Sequence, residues 1–286
     1  MRCAWNALVR ILPPWLGQEI NPIYKDELQE LRLRKEKPPE LICRSGSSWL
    51  KTPVTQEDLH FCVNTASKYS PWAAQSMAKG YLTAPGGHRI GICGEGIWKA
   101  GENTGIKNFS SLCIRVARDF PGIGAALAPL DGSILILGSP GCGKTTLLRD
   151  LVREISKSRQ TAVVDERGEL FPPEAGFDRG RSLDVLTGCG KPEGIEMLTR
   201  TMGPAVIAVD EVTASGDCEA LLHAGWCGVQ LIATAHASTI SELRKRPVYR
   251  PLTESHLFDY VVILRRDKSW YYERMDERCF TGSVRC

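Results

Sequence analysis

The segment GSPGCGKTT at residues 138–146 constrains this chain more than any other part of its sequence. It fits the pattern GxxxxGK[ST]. A short apolar stretch at 133–138 precedes it, and residues 144–156 follow with apolar side chains at helical spacing. A strand, a glycine-rich loop and a helix in this order wrap backbone N–H groups around a phosphate, at the positive end of the helix dipole. We therefore expect a nucleotide-phosphate site here.

The loop residues have separate roles in holding a nucleotide. Gly141 and Gly143 can adopt unusual backbone angles at low cost. Lys144 is expected to reach the β- and γ-phosphates of ATP, and the Thr145 hydroxyl to ligate Mg²⁺. The predicted nucleotide-binding residues are Gly138, Ser139, Pro140, Gly141, Cys142, Gly143, Lys144, Thr145 and Thr146. A chance glycine-rich turn is the alternative, and the strand before the loop and the acidic strand after it count against that alternative.

Two further apolar stretches end in acidic pairs: residues 205–211 read AVIAVDE and residues 161–166 read TAVVDE. The first has the form of a Walker B element, and we expect its strand beside the strand that precedes the phosphate loop. Asp210 would then hold Mg²⁺ through water, and Glu211 would orient and polarise the attacking water. Glu166 is a second candidate for the catalytic base. Sequence spacing does not decide between the two glutamates, and we favour Glu211.

Polar and basic side chains supply the remaining candidates. Thr234 and His236 end the apolar stretch 229–236, where His236 is either a sensor that contacts ATP but not ADP or a structural histidine. Arg89 and Arg115 lie near turns in the first part of the chain, from which they are candidates to lean over the nucleotide. Further candidates for stabilising transition-state charge, each of which is equally a candidate surface ion pair, are Arg179, Arg181 and Arg200.

The apolar pattern predicts two domains. In residues 126–286, short apolar strands alternate with helices, which indicates an α/β P-loop NTPase (RecA-like) domain with a mostly parallel sheet covered by helices on both faces. Residues 260–274 predict a closing β-hairpin. Residues 1–125 are mixed in type and predict a small α+β domain, and the Gly/Pro/Ala-rich stretch 121–132 predicts a linker.

Local signals divide the first domain further. Residues 23–33 carry apolar side chains at helical spacing and predict a helix. Thr55 followed by Asp58 predicts the start of another helix, with a further one from Pro71. The stretch 80–96 predicts two short strands around a Pro-Gly-Gly turn.

Charge and composition limit the partners. The 286 residues carry a formal net charge of +3, which is too weak to favour a nucleic acid partner. We find no signal peptide and no uncharged apolar stretch of about 20 residues, so we expect any membrane role to come through a partner. The 11 cysteines include no CxxC pair, which gives little support to a zinc ribbon or a thioredoxin-type site. Most of them stand in apolar contexts, as small buried hydrophobic residues do, which favours a reducing compartment and a cytoplasmic protein.

Six segments spread over roughly residues 20–265 carry a family resemblance: GYLTAPGGHRIGICGE, SLCIRVARDFPG, GSPGCGKTTLLRDLVR, VVDERGEL, DVLTGCGKPEGIEMLTRTMGPAVIAVDEV and ATAHA. Together they resemble the stage III sporulation protein AA family of endospore-forming bacteria. That family is similar to the ATPases of type II and type IV secretion and pilus machines. In those ATPases an acidic strand end and a histidine-bearing strand complete the site, which corresponds to VVDERGEL and His236. Arginines of their smaller N-terminal domain also contribute, which implicates Arg89 and Arg115.

The resemblance implies an Mg²⁺-dependent ATP hydrolase that assembles as a hexameric ring. It would energise a secretion-like channel between mother cell and forespore, through membrane proteins of that channel. A nucleotide-dependent assembly scaffold with little turnover is the alternative, and a DNA-acting ATPase is a weaker one. The chain departs from the secretion ATPases where Arg167 directly follows Glu166, and where the histidine segment reads HAST.

Overall fold

The computed structural model describes residues 3–20, 22–67, 73–172, 175–275 and 282–284. The chain divides into one unit of residues 1–119 with 172–176, and a second unit of residues 120–171 with 177–286. This division falls six residues before the boundary predicted between residues 125 and 126. The reason is local packing inside the second unit: the Gly124 N–H donates to Asp150 Oδ2 at 2.6 Å, and Leu127 is fully buried.

The first unit is built on an antiparallel sheet. Its strands are β1 (Leu28–Arg34), β2 (Glu40–Cys43), β3 (Gly46–Trp49), β4 (Tyr81–Ala84), β5 (His88–Lys99) and β6 (Glu102–Arg115). The strand order is β3-β2-β1-β6-β5-β4. Its helices are α1 (Trp5–Arg10), α2 (Pro14–Glu19), α3 (Gln56–Ser67) and α4 (Ala73–Ala78).

The helix predicted for residues 23–33 is wrong, because β1 occupies most of that stretch. Leu31 and Leu33 are fully buried and alternate with outward-facing arginines, which is the period of a strand. A β-bulge shifts the register between Leu28 and Glu30. The extra residue puts two buried leucines three positions apart, and this local break in alternation imitates helical spacing.

Two other predictions for the first unit, the helix start at Thr55 and the strand pair around residues 85–87, are confirmed. Thr55 and Asp58 form the predicted capping box: the Thr55 N–H donates to Asp58 Oδ2 at 2.8 Å, and the Asp58 N–H donates to Thr55 Oγ1 at 3.2 Å. Strands β4 and β5 pair around the predicted Pro-Gly-Gly turn. The predicted helix start at Pro71 lies outside the described residues.

The second unit contains the mostly parallel sheet. Its strands are β7 (Ile134–Gly138), β8 (Thr161–Asp165), β9 (Leu183–Thr187), β10 (Val206–Val209), β11 (Gln230–Ala235), β12 (Tyr260–Leu264), β13 (Trp270–Arg274) and β14 (Gly282–Val284). The strand order is β14-β13-β12-β7-β11-β10-β8-β9, with β13 and β14 antiparallel at one edge. Its helices are α5 (Lys144–Ile155), α6 (Lys191–Thr201), α7 (Ser215–Trp226), α8 (Ile240–Arg244) and α9 (Arg250–Glu254).

Helices cover both faces of this sheet. One core cluster joins α5 to one face, and a second joins α6, α7 and α9 to the other. Every residue of β7, β8 and β10 is buried. That double burial explains why these strands read as continuous apolar runs rather than alternating ones.

The strand order corrects one expectation about the acidic strand ends. We predicted β10, which ends just before Asp210 and Glu211, beside β7, but β11 lies between them. The inserted strand is the one that leads to His236. Along the carboxyl edge of the sheet the order is therefore the phosphate loop, His236, the Asp210–Glu211 pair and finally Glu166.

Candidate active site

The loop between β7 and α5 has the backbone of a phosphate cradle. Gly141 and Gly143 have φ angles of +74° and +108°, which side chains with a Cβ rarely adopt. Apart from Gly141 itself and its two chain neighbours, no heavy atom of the described residues lies within 4 Å of a Cβ built on Gly141, so the loop is open at that point. The helix begins directly at Lys144, which points its first N–H groups into the loop.

The Lys144 ammonium lies inside this loop and joins it to the neighbouring strand. Its Nζ donates to Gly138 O at 2.9 Å and to Ser139 O at 3.2 Å. It also lies 2.9 Å from Nδ1 of His236. Burial lowers the pKa of Lys144 from its ordinary value, because desolvation disfavours the charged form.

His236 lies between Lys144 and Glu211 and is hydrogen-bonded to both. A lysine ammonium can only donate, so Nδ1 of His236 accepts and Nε2 carries the proton. That Nε2–H donates to Glu211 Oε1 at 2.8 Å. The main-chain oxygen of His236 accepts from Arg246 at 2.7 Å, which holds the residue from its other side. The result is a continuous line of hydrogen bonds from the phosphate loop to the acidic strand end.

Arg167 binds the second oxygen of Glu211. Its guanidinium lies 3.2 Å from Glu211 Oε2. Burial pushes the pKa of Glu211 up, but the hydrogen bond from His236 and the charge of Arg167 outweigh burial and lower it. Glu211 also has a φ of +55°, a left-handed conformation that is strained for a residue other than glycine. Such strain persists only where the surroundings enforce it, as they do at many active sites.

Asp210 is fixed by two hydroxyls. Its Oδ2 accepts from Thr145 Oγ1 at 2.6 Å, and its Oδ1 accepts from Thr234 Oγ1 at 2.6 Å. Thr234 Oγ1 in turn accepts from the Glu211 N–H at 2.8 Å. Thr234, proposed from sequence only as a polar residue at the strand end, therefore orients both acidic residues.

Glu166 belongs to a different set of contacts. Its Oε2 accepts from Lys191 Nζ, at the start of α6, at 2.6 Å. The preceding Asp165 is a structural residue, since its carboxylate accepts the N–H groups of residues 169, 170 and 171. Burial nevertheless raises the pKa of Asp165. Glu166, Arg167, Lys191, Asp210 and Glu211 line one cleft, with Glu166 at the side distant from the phosphate loop.

These residues fit a nucleotide with Mg²⁺. Gly141, Gly143 and Lys144 have the backbone and the ammonium that a cradle for phosphates needs. Thr145 Oγ1 and Asp210 Oδ2, which lie 2.6 Å apart, are oxygen donors of the kind that Mg²⁺ prefers. A hydroxyl and a carboxylate suit a cation that completes its coordination with water and substrate phosphates.

The remaining predicted residues lie as follows. Cys142 is buried, and its sulfur would lie 2.5 Å from a Cβ built on Gly138, so the loop packs tightly there. Pro140 is exposed, and Thr146 is half-buried on the first turn of α5. Both of these lie within the predicted loop segment.

Arg89 and Arg115 lie in the first unit, directly opposite each other on β5 and β6. The Arg89 guanidinium lies 4.6 Å from the centre of the Tyr81 ring, and Arg115 lies 3.7 Å from Glu30. Two arginines directly opposite each other on neighbouring strands repel. Their contact with a nucleotide stays a prediction.

Sequence reasoning missed three basic residues around the cleft and loop. Arg167 entered only as a departure from a family pattern, and Lys191 and Lys268 were not singled out. A signal for Lys191 was present, because the tetrapeptide GCGK at 141–144 recurs at 188–191, again between a strand and a helix. Lys268, whose Nζ donates to Gly141 O at 2.7 Å, carried no such signal, because its contact spans 127 residues.

None of the helices in the described part of the chain combines the length and the apolar composition that a membrane span requires.

The solved structures that share this fold include two ATPase and motor structures. The ATPase DotB of Legionella pneumophila superposes with a TM-score of 0.59 at 17% identity, covering 94% of this chain and 82% of DotB. The pilus retraction motor PilT with bound ADP superposes with a TM-score of 0.57 at 13% identity, covering 92% of this chain and 81% of PilT. The predicted fold class, an α/β P-loop NTPase domain preceded by a small α+β domain, is confirmed.

The amino-acid sequence assigns this chain to a narrower group than the fold does. The sequence model of the family described as sporulation stage III, protein AA matches residues 10–272. Stage III sporulation protein AA of Bacillus subtilis is 37% identical to this chain over 281 residues, which cover 92% of each protein. The resemblance inferred from the motifs is thereby confirmed, and this chain belongs to the family of sporulation stage III protein AA.

Proposed function

We propose that this protein is an Mg²⁺-dependent ATP hydrolase that works as an oligomeric motor for a secretion-like channel in sporulation. The observation that carries the proposal is the line of hydrogen bonds from Lys144 through His236 to Glu211. It joins the group expected to hold the terminal phosphate to the carboxylate expected to activate water. A site that only binds nucleotide has no need of such a connection.

His236 is the proposed sensor of the terminal phosphate. When the Lys144 ammonium turns to phosphate oxygens, Nδ1 of His236 loses the donor that it has in this structure. The imidazole is then free to shift relative to Glu211, to which its Nε2–H is bonded. Only ATP would also bring a γ-phosphate to this imidazole, so ATP and ADP would place Glu211 differently.

Glu211 is the proposed catalytic base. It would orient the attacking water and accept its proton as the bond from the γ-phosphorus to the ADP oxygen breaks, which gives ADP and inorganic phosphate. Its lowered pKa keeps the carboxylate ionised and ready to accept a hydrogen bond. Glu166 is less suited, because it lies further along the sheet edge and is paired with Lys191.

Thr145 and Asp210 are the proposed residues for Mg²⁺. The bound cation would neutralise charge on the β- and γ-phosphates. Thr234 would hold Asp210 in place through its hydroxyl, which also accepts from the backbone of Glu211. A shift of Asp210 on binding Mg²⁺ would thus be transmitted through Thr234 to the proposed base, Glu211.

The motor part of the proposal rests on family and fold. Membership of the sporulation family supports a role in sporulation, and the fold shared with the ATPase DotB and the motor PilT supports ATP-driven work. We propose a hexameric ring on the cytoplasmic side, bound to membrane proteins of the channel and to no nucleic acid. Arg89 and Arg115 would act on the nucleotide from the first unit.

The test is Mg²⁺-dependent phosphate release from ATP over a wide range of protein concentration, with Lys144→Ala as the control. Turnover that rises steeply with concentration and disappears in Lys144→Ala is expected, because a ring completes its sites between subunits. ATP-dependent assembly with negligible phosphate release would instead identify the alternative, an assembly scaffold.

A further inference from the structure

The hairpin of β12 and β13 brings a basic turn to the phosphate loop. Strand β12 pairs with β7 along its length, with Leu264 opposite Gly138, the first residue of the loop. The turn that follows, residues 265–269, reads RRDKS. Because strand pairing fixes the two segments against each other, the place of this turn beside the loop is set by the sheet.

Lys268 of this turn contacts the loop directly. Its Nζ donates to Gly141 O at 2.7 Å. Its Cδ lies 3.9 Å from a Cβ built on Gly143, so the lysine stem runs along the loop towards the start of α5. Lys144 therefore enters the cradle from within, and Lys268 reaches it from the neighbouring hairpin.

The turn is held in a way that aims this side chain. The Arg265 N–H donates to Ser269 O at 2.9 Å, and the Lys268 N–H donates to Arg265 O at 3.1 Å. The Asp267 carboxylate accepts from the backbone and the hydroxyl of Ser269. Lys268 itself has a φ of +70°, which glycine tolerates far better than lysine. A lysine at a position where glycine would be less strained indicates a functional role for the lysine ammonium.

The strand order indicates which end of a bound nucleotide this side chain would face. Strand β7 lies between β11 and β12. The groups proposed to act on the γ-phosphate, His236 and Glu211, lie on the β11 side. The other end of a bound nucleotide, with its α-phosphate and ribose, would extend away from them, and the turn that carries Lys268 follows β12, on the opposite side of β7.

We propose that Lys268 is a nucleotide-binding residue, whose ammonium turns from Gly141 O to the phosphate oxygens that ATP and ADP share. An ammonium has three donors, and the bond to Gly141 uses one of them. Exchanging the neutral carbonyl for a phosphate oxygen makes the acceptor charged as well as the donor, which adds the attraction of an ion pair to the hydrogen bond. This inference rests on the proposed function, because it assumes that the loop binds an adenine nucleotide.

A contact to shared phosphates has a distinct signature. It strengthens binding of substrate and product alike, so its loss raises the Kd of both and the KM without lowering kcat. Loss of a residue that acts on the γ-phosphate would change kcat or discriminate between ATP and ADP. If Lys268 only restrained the loop through Gly141, its removal would leave nucleotide affinity unchanged or improve it.

The experiment is calorimetric titration of the full-length protein with ADP and with adenylyl imidodiphosphate, each with Mg²⁺. Lys268→Gln is expected to weaken both by the same factor, roughly 10-fold to 100-fold. Lys268→Arg should retain most of the affinity. Lys157→Gln is the matched control. Lys157 follows the end of α5 that is distant from the phosphate loop, where it pairs with Glu154. Lys268→Gly removes the ammonium and relieves the strained φ, so it reports on binding even if Lys268→Gln folds poorly.

The outcomes separate this inference from the proposed function. Affinities of Lys268→Gln and Lys268→Gly within about twofold of the unmodified protein, or a loss confined to the triphosphate analogue, would overturn the role of Lys268. An unmodified protein that binds ADP but does not hydrolyse ATP would remove the proposed hydrolase and leave the Lys268 result standing. An unmodified protein that binds neither nucleotide would overturn both.

Discussion

The ammonium of Lys144 lies 2.9 Å from Nδ1 of His236, a residue 92 positions further along the chain. The contact joins the phosphate loop to the strand inserted between it and the acidic strand end. Because Nδ1 accepts here, the opposite ring nitrogen must donate, and it does so to Glu211. Lys144 and the proposed base are thus held by the two sides of one imidazole.

The roles of the two glutamates can be separated by amide substitution. Glu211→Gln should retain ATP binding while turnover falls by about 100-fold or more, because an amide cannot take the proton of the attacking water. Glu166→Gln removes only the partner of Lys191 and should cost far less. Single-turnover phosphate release and ATP affinity are the measurements. Normal turnover in Glu211→Gln, with loss in Glu166→Gln, would reverse the assignment.

Substitution of His236 should affect chemistry more than binding. His236→Ala removes the hydrogen bond to Glu211, and a hydrogen bond to a charged group contributes about 1.5–3 kcal/mol. We expect kcat to fall roughly tenfold to a hundredfold, with ATP affinity preserved because Lys144 keeps its bonds within the loop. Comparison of kcat with directly measured Kd tests this. A structural histidine would show itself through reduced thermal stability with an unchanged kcat per folded molecule.

Arg167 should set the acid limb of the pH profile. The pKa of Glu211 is raised by burial, and the bond from His236 and the charge of Arg167 together lower it further than burial raises it. Removing the charge in Arg167→Gln leaves burial less opposed, so the pKa of Glu211 rises and activity is lost at a higher pH than in the unmodified protein.

The charge-preserving variant Arg167→Lys controls for the loss of the side chain itself. It should keep the acid limb close to its original position, and kcat measured against pH for the three proteins decides. An acid limb that does not move in Arg167→Gln would mean that Arg167 has no influence on the catalytic ionisation.

His88 should make the first unit sensitive to acid. The ring is fully buried, accepts the Ala117 N–H on Nδ1 at 3.1 Å, and lies 3.1 Å from Ala4 O through Nε2. Burial lowers the pKa of His88 below its ordinary value. The unfolded chain therefore binds the proton at a higher pH than the folded unit, and the free energy of unfolding falls as the pH drops below about 6.5.

Chemical denaturation at about pH 7.5 and about pH 5.5 tests this role of His88. His88→Ala should destabilise the first unit at both values, by about 1–3 kcal/mol for each buried group left unpaired. It should also reduce the difference between the two pH values. The exposed His223→Ala is the control and should keep that difference. An equal pH dependence in His88→Ala would show that other groups control acid unfolding.

The amino-acid sequence alone was enough to predict those features that depend on residues close together in the chain. The phosphate loop, the helix that follows it and the capping box at Thr55 all depend on residues within a few positions of one another. The apolar runs of the second unit predicted their strands because burial on both faces leaves little freedom of composition. The same local reasoning failed at β1, where a bulge displaced the alternation that marks a strand.

Only the tertiary structure decided what depends on pairing between distant segments. Strand order is set by hydrogen bonds between segments that are far apart in the sequence. This order places β11 between the strand that precedes the phosphate loop and the strand that precedes Asp210. It likewise determined that Glu211 binds His236 and Arg167 while Glu166 binds Lys191. Sequence identified two acidic strand ends of equal chemistry; their unequal neighbours, and so their unequal electrostatics, exist only once the sheet has formed.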